Sequence, residues 1–503
     1  MVIELGIVSD YYSFLLVYSI IWVGCDDGMK VKTKRILFGI FVVLLFGIGI
    51  FACKGVSDYY WHVQVGDFIM EHHNVPKVGI FSWFAKDLPW IAHEWGSEVL
   101  LALSRVLFHG MGPIVYMAVF ALLLGLILYL TNMKNYFKTI WFSVVWIVMG
   151  AFVMLFFYLP RPHMISYCLF AVTVYLIIDL WKNPASKKLY FLPLLSLIWV
   201  NVHGGSSNLP YVLCLVCLFV GSIDFRFQRL EFQRLSKEQL HRYFLVFVLC
   251  LLSCFVNPNT YHMVLYPYQN MMDKTMLQTI VEWRSPDIKL LTDLLLVLFP
   301  IGFSALTMLI SKKKVSGITL VLFLLFTYLS LSSIRFIPLF YIVMTYLIFS
   351  FVEEQTNQQK YSIFYLALAV EAVLLFSFAL VTVGSLRDRL KPTDLDLKAV
   401  AQIKQINPKR LFNSYGLGGQ LIYHNIDVFI DGRADLYASS NYKDAYALEY
   451  LEADPSKLIE DYQFDLFVIF KSDPLFYYLE GNESFELIYE NQTICLFQPK
   501  SIE

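Results

Sequence analysis

In the stretch SDYYWHVQVG an acid and a histidine, Asp58 and His62, stand four residues apart. On a helix that spacing puts both side chains on one face with Ile69, while Trp61 and Phe68 line another. The aromatic side is expected to rest on the membrane interface. A carboxylate placed where the chain leaves an apolar run can serve as a general base or a metal ligand. It can also simply cap the helix, as Ser57 or Asp58 would do well. His62 is then a ligand, a partner of Asp58 or an interface filler; the sequence leaves all three open. Further along the same stretch, His93-Glu94-Trp95 opens a second apolar helix, with Glu98 one turn on. A carboxylate there serves chemistry or complements the helix dipole. Its sharing a loop with Asp58 favours His93 or Glu94 as a catalytic residue.

More polar residues stand at the edges of apolar runs, where ionisable groups are costly and usually functional. Arg161, in LPRPHMIS, and Arg335, in SSIRFIPLF, present guanidinium groups suited to a phosphate or diphosphate. The alternative is snorkelling to lipid headgroups. His203 lies in WVNVHGGSS, where Gly204 and Gly205 let the backbone turn and a ligand approach. It is a substrate-binding residue or a polar cap in a re-entrant turn. Glu282 and Trp283 pair an acid with an indole, suited to a sugar ring or to anchoring a loop. Asp58, Glu94 and Glu282 could together hold a divalent metal, magnesium or manganese. Near the C-terminus, Asp431, Gly432, Arg433 and Asp435 follow an expected strand, a frequent place for binding loops. An internal Arg433–Asp435 salt bridge is the other reading.

These residues must be positioned by a membrane scaffold. The chain has 503 residues, 58% hydrophobic, 17% aromatic and only 16% charged. Soluble domains carry about 25% charge. Apolar runs predict about twelve spans. They fall near 5–24, 36–53, 111–131, 139–158, 163–181, 189–202, 208–222, 243–256, 290–311, 315–332, 336–351 and 361–384. Asp10 interrupts the first. Residues 1–384 therefore read as an all-α polytopic membrane domain with a large outer loop at 54–110. Residues 385–503 have ordinary soluble composition and read as a small α/β domain. Its expected elements are a helix at LKAVAQIKQI, strands at KRLFNS, DVFID and FDLFVIF, a helix at DPLFYYLEG and a final hairpin.

Connections rich in Lys and Arg alternate with connections that are not. The basic set includes Lys30 to Arg35, Lys182 to Lys188, Arg226 to Arg242 and Lys312 to Lys314. The positive-inside rule puts this set in the cytoplasm and the C-terminal domain outside. The polar residues singled out above then all fall on the outer side, which predicts one shared, outward-opening site.

The net charge of −1 favours neither nucleic acid nor an acidic partner. Seven of the eight cysteines lie in or beside apolar runs, so the CxxC of Cys214 and Cys217 reads as helix packing. No cleavable signal peptide is expected.

The segments SDYYWHVQVG, WIAHEWGSEVLLAL, LPRPHMISY, WVNVHGG, VEWRSP, IRFIPLF and YGLGGQLIY…VFIDGRADLY, in this order, resemble a family of bacterial polytopic membrane proteins. More distantly, the layout resembles GT-C type glycosyltransferases, with Asp58 where that superfamily carries a loop acid. The chain departs from the usual pattern in having Tyr59-Tyr60-Trp61-His62 after the acid, with no second acid adjacent. The resemblance implies a bacterial cytoplasmic-membrane enzyme that moves sugar from a polyprenyl-phosphate donor to an envelope acceptor. Asp58, His93 and Glu94 would be catalytic. His62, Arg161, His203, Glu282, Trp283, Arg335, Asp431 and Arg433 would bind substrate. The rival expectations are a lipid-oligosaccharide export component and an envelope scaffold.

Overall fold

The computed structural model describes residues 31–47, 57–272, 283–353, 394–438 and 440–500. The expected spans 5–24 and 361–384, and Glu282, lie outside the described residues. The first described helix is α1 (Val31–Gly47), followed by α2 (Ser57–His72). An irregular stretch leads to α3 (Trp95–Phe108), which passes through a tight turn at His109–Met111 into α4 (Gly112–Tyr136). Next come α5 (Ile140–Leu155), α6 (His163–Lys182), α7 (Leu192–Val202) and α8 (Leu209–Gly221). A hairpin, β1 (Phe225–Phe227) with β2 (Leu230–Phe232), precedes α9 (Lys237–Ser253) and α10 (His262–Met272). Then follow α11 (Leu291–Ile310), β3 (Val315–Ser316), α12 (Gly317–Ser332) and α13 (Ile337–Leu347).

Among the described residues, five segments are long and apolar enough to cross a membrane: Trp95–Tyr136, His163–Lys182, Gly204–Gly221, Leu291–Ile310 and Ile334–Phe351. Shorter apolar helices occupy Phe38–Gly47, Phe142–Leu155, Lys188–Val202 and Gly317–Ser332. Prolines account for several helix starts. Pro113, Pro193, Pro210 and Pro338 each sit in a first helical turn, where a missing N–H costs nothing.

The C-terminal unit comprises α14 (Leu397–Ile406), β4 (Leu411–Asn413), α15 (Gly418–Tyr423), α16 (Ala434–Tyr437) and α17 (Tyr442–Glu449). It continues through α18 (Pro455–Tyr462), β5 (Leu466–Phe470), α19 (Pro474–Glu480), β6 (Phe485–Glu490) and β7 (Ile494–Pro499). The strands form one sheet in the order β4-β5-β7-β6, with β4 parallel to β5 and the other pairs antiparallel. The expected strand at DVFID is instead irregular. Val428 makes an isolated bridge to Ser82. The Asn413 amide takes over the ladder's role: its Oδ1 accepts Phe429 N–H at 2.9 Å and its Nδ2 donates to Ile430 O at 2.8 Å.

The outer loop and the C-terminal unit share one hydrophobic core. Trp61, Val65, Ala85 and Trp90 pack in the same cluster as Phe412, Phe429, Ile430 and Leu436. Trp61 is 5% exposed, so α2 does not lay this indole on the membrane interface. The unit's own core is the better apolar environment and is nearer.

The connections sort into two groups that touch within themselves. Arg229 donates to Met308 O, Leu309 O and Lys313 O, Lys313 to Val352 O, and Arg242 to Pro184 O and Ser186 O. In the other group, Asp58 meets Arg161, Glu94 meets His203, and Tyr266 meets Asp435. Residues of the two groups should therefore face opposite sides of a membrane. The test is thiol labelling of single cysteines at Lys312 and Ser440, with Cys25 and Cys53 changed to Ser. The six remaining native cysteines are buried and should stay silent. Each site should label from one side only, and the two sides should differ; labelling of both from one side refutes the arrangement.

Candidate active site

Asp58 stands in the first turn of α2, where a carboxylate complements the helix N-terminus. One oxygen accepts the Trp61 Nε1–H at 3.2 Å; the other pairs with the Arg161 guanidinium. Arg161 reaches this point because the chain turns sharply at Leu159–Pro162 before α6, with the Arg161 N–H bonded to Leu159 O at 2.7 Å. The Asp431–Arg433 loop closes over the pair from the C-terminal unit. A Cβ at Gly432 would overlap both Asp58 Oδ1 and Trp61 Nε1, so only glycine allows this approach.

A second cluster surrounds Glu94. This residue occupies the N-cap position of α3, yet its side chain makes no capping bond. The carboxylate turns instead to three histidines. Its Oε1 lies 3.2 Å from His203 Nε2 and 3.6 Å from His93 Nε2, and its Oε2 lies 3.8 Å from His62 Nε2. His62 Nδ1 in turn is 3.4 Å from Glu98 Oε1. His203 is held by Ser166 and Ser206, whose hydroxyls lie 2.5 and 3.0 Å from its Nδ1 and also accept the Trp199 Nε1–H. The Gly204 N–H donates to His93 O at 2.8 Å, which ties the two histidine-bearing turns together. On the far side, Tyr266 bridges His93 Nε2, at 3.3 Å, and Asp435, at 3.1 Å.

The electrostatics follow from burial and neighbours. Burial pulls the His62 imidazole down to about 3, against the attraction of Glu94, so it is neutral. Burial alone would also strip His93 of its proton. The charge and hydrogen bond of Glu94, and then Asp435, outweigh burial and raise it. Burial likewise disfavours a charged Glu94, but the surrounding histidines hold its carboxyl well below the usual range.

Both clusters open into one cavity of about 710 Å³. Asp58, His62, His93, Glu94, Arg161, His203, Trp283, Arg335 and Arg433 all line it. The Arg335 guanidinium lies 5.0 Å over the Trp283 ring, a cation–π contact. Asp431 is different. It is fully buried, is not a lining residue, and binds Arg433 through two bonds of 2.8 and 2.6 Å. The expected Arg433–Asp435 bridge is thus an Arg433–Asp431 pair, because Asp435 is turned toward Tyr266. Arg433 also lies 5.0 Å over Trp90. Of the expected metal set, Asp58 faces a guanidinium and Glu94 faces the histidines, while Glu282 lies outside the described residues. The described residues bring His62, Glu94 and Glu98 together instead, with one ligand atom from each within 4.8 Å of the others. Glu98 Oε2 is buried with no hydrogen-bond partner among the described residues.

Apolar side chains also line the cavity: Leu209, Val212 and Leu213 of α8, Leu325, Phe326 and Leu329 of α12, and Leu339 of α13. Tyr415, Tyr442, Tyr446, Glu449 and Tyr450 of the C-terminal unit complete the lining. Sequence reasoning passed over these, and Tyr266, since tyrosines in an aromatic-rich chain carry no distinguishing spacing. Glu98, one turn on from Glu94 in the sequence, joins the cluster although it was not among the expected site residues.

No family model matches the chain, and no curated protein matches it. Solved structures do. The chain is similar to ArnT from Cupriavidus metallidurans, solved bound to undecaprenyl phosphate, with a TM-score of 0.52 and 11% identity over 94% of this chain and 99% of that one. At that identity the likeness is one of fold. The oligosaccharyltransferase of Archaeoglobus fulgidus, solved tethered to an acceptor peptide, aligns over 86% of this chain and 69% of that one, with 11% identity and a TM-score of 0.49. With its long apolar helices, the protein is a multi-pass membrane protein that shares the fold of ArnT.

Glu449 offers a check on the cavity's interior. Burial, with Asp473 nearby, pushes its carboxyl up to about 8, although the Tyr415 N–H opposes the shift. A carboxyl raised on folding binds its proton more tightly folded than unfolded. Its stability contribution is complete below its unfolded value, near the ordinary carboxylate value of 4.5, and is lost as pH rises toward 8. Glu449→Gln keeps an acceptor for Tyr415 N–H and cannot ionise. The variant should melt higher than the parent at pH 9 and nearly level with it at pH 4.5. Equal melting shifts at both pH values would contradict the burial.

Proposed function

We propose that the protein is a membrane glycosyltransferase that moves a sugar from a polyprenyl-phosphate-linked donor to an envelope acceptor on the outer face of a bacterial cytoplasmic membrane. The observation that carries this is the mixed lining of the cavity: apolar side chains from membrane helices together with acids, histidines and arginines. A lipid-linked sugar is amphipathic in the same sense. The fold shared with ArnT supports the reading, and the basic loops at the opposite end support the outward orientation.

On this reading Asp58 is the general base. It takes the proton of the acceptor hydroxyl as that oxygen bonds to the sugar's anomeric carbon and the bond to phosphate breaks. In the resting protein Arg161 keeps the Asp58 carboxylate paired. The incoming donor phosphate competes for Arg161, which together with Arg335 stabilises the charge that develops as the phosphate leaves. Asp58→Asn preserves shape and capping but removes the base. Transfer from an undecaprenyl-phosphate-linked sugar should fall at least about a hundredfold. The exposed Glu71→Gln should leave it unchanged. Full activity in Asp58→Asn would refute the assignment.

We also propose that His62, Glu94 and Glu98 hold a divalent cation, manganese or magnesium. The unpartnered buried oxygen of Glu98 and the neutral His62 supply suitable donors. When bound, such an ion would add positive charge beside the departing phosphate. Chelation should abolish transfer, and manganese or magnesium should restore it. Glu98→Gln should weaken the metal requirement's apparent affinity by about 10–100-fold. Undiminished transfer after exhaustive chelation would remove the metal from the scheme.

A further inference from the structure

The part of the cavity lining supplied by α17 has its own pattern. Along α17 and just beyond it, Tyr442, Ala445, Tyr446, Glu449 and Tyr450 recur at spacings of three and four, and all line the cavity. The face is fixed at its start by Asn441, whose Nδ2 donates to Phe429 O at 2.9 Å. Tyr442 is buried and meets Tyr415 edge-on at 5.8 Å. Tyr415 is close enough to Asp58 and Arg161 for both charges to act on its hydroxyl. At the other end, Tyr446 and Tyr450 remain partly open, with ring centroids 4.5 Å apart. Glu449 lies between, with one oxygen accepting the Tyr415 N–H at 3.0 Å.

Neither common role of a helix face accounts for this. A core-facing stripe would bury all its aromatics and carry no carboxyl. A solvent face would carry charge in place of tyrosine. A row of phenol rings with a carboxyl among them, facing a cavity, has both surfaces that a sugar ring needs. Aromatic faces take the apolar C–H side of a pyranose, and phenol and carboxyl groups meet its hydroxyls.

We propose that this face is a carbohydrate-binding platform that receives pyranose rings of the acceptor and leads one hydroxyl past Tyr415 to Asp58. The delivery to Asp58 rests on the transferase reading above; the binding of sugar rings does not. The test is saturation-transfer difference NMR on the full-length protein in lipid nanodiscs. The probes are methyl β-glucopyranoside, methyl β-galactopyranoside and methyl N-acetyl-β-glucosaminide. Ring C–H signals of at least one should be saturated. They should fall by about fivefold or more in Tyr446→Ala/Tyr450→Ala, which removes two stacking rings. They should persist in Tyr446→Phe/Tyr450→Phe, and in Tyr477→Ala, whose side chain is exposed on α19 outside the cavity. Saturation of none of the three glycosides, or undiminished saturation in the double alanine variant, overturns the proposal. Undecaprenyl phosphate binding by the unaltered protein, read by native mass spectrometry, reports separately on the transferase reading. A sugar signal without lipid binding would leave the platform standing and remove that reading.

Discussion

Gly432 approaches Asp58 and Trp61 so closely that one added methyl group would overlap both. The rest of the site depends on that contact. It presses the C-terminal unit onto the start of α2 and fixes where the Asp58 carboxylate points. The loop can come so near because it is held from behind. Asp431 and Arg433 form a fully buried ion pair, the Tyr437 hydroxyl donates to Asp431 at 2.5 Å, and Trp90 lies beneath the guanidinium. Removing one partner of such a pair leaves an uncompensated buried charge, at a cost of about 3–5 kcal/mol. Asp431 and Arg433 are therefore best understood as the brace of the site. Gly418 belongs to the same device, since a Cβ there would overlap Ile430 O and crowd Asp431.

Burying ionisable groups beside a membrane is expensive unless each finds a partner. The protein meets this cost in two ways. Asp58 meets an arginine, a fixed cation. Glu94 meets three imidazoles, whose charge depends on their neighbours. The outcomes differ accordingly: burial lowers His62 despite Glu94, while Glu94 and Asp435 raise His93 despite burial. One carboxylate thus has two imidazoles shifted in opposite directions, set by position alone.

Much of this architecture was legible in the chain. Apolar runs located the helices α4 to α8. The grouping of basic and non-basic connections anticipated which loops touch. Asp58 and Arg161 stand far apart in sequence yet share a cavity, and both stand at run boundaries where a charge needs a reason. Other features were not legible, for physical causes. The shared core of Trp61 and Trp90 with the C-terminal unit is a long-range packing event; from sequence alone, an indole beside a span looks like an interfacial anchor. DVFID has strand composition, but Asn413 satisfies its backbone from the side. No local pattern reports that. The tyrosines of α17 were hidden by an abundance of aromatics elsewhere: the chain holds 32 tyrosines, so none stands out.

The Asp58–Arg161 pair resolves a conflict that any general base in this position faces. A partly buried carboxylate without a partner would be driven to keep its proton and could not accept another. One locked permanently to a guanidinium would stay ionised but be a poor base, since its lone pairs are already engaged. Under the proposed reaction the pair is provisional. Arginine binds phosphate bidentately as readily as it binds carboxylate. A donor phosphate arriving in the cavity therefore offers Arg161 an equivalent partner, and Asp58 is left charged and uncommitted only when the donor is present. A base that is exposed by the substrate it serves is protected from idle protonation. Trp61 and Gly432 keep it in place during the exchange, because the indole N–H remains on one carboxylate oxygen while the guanidinium leaves the other.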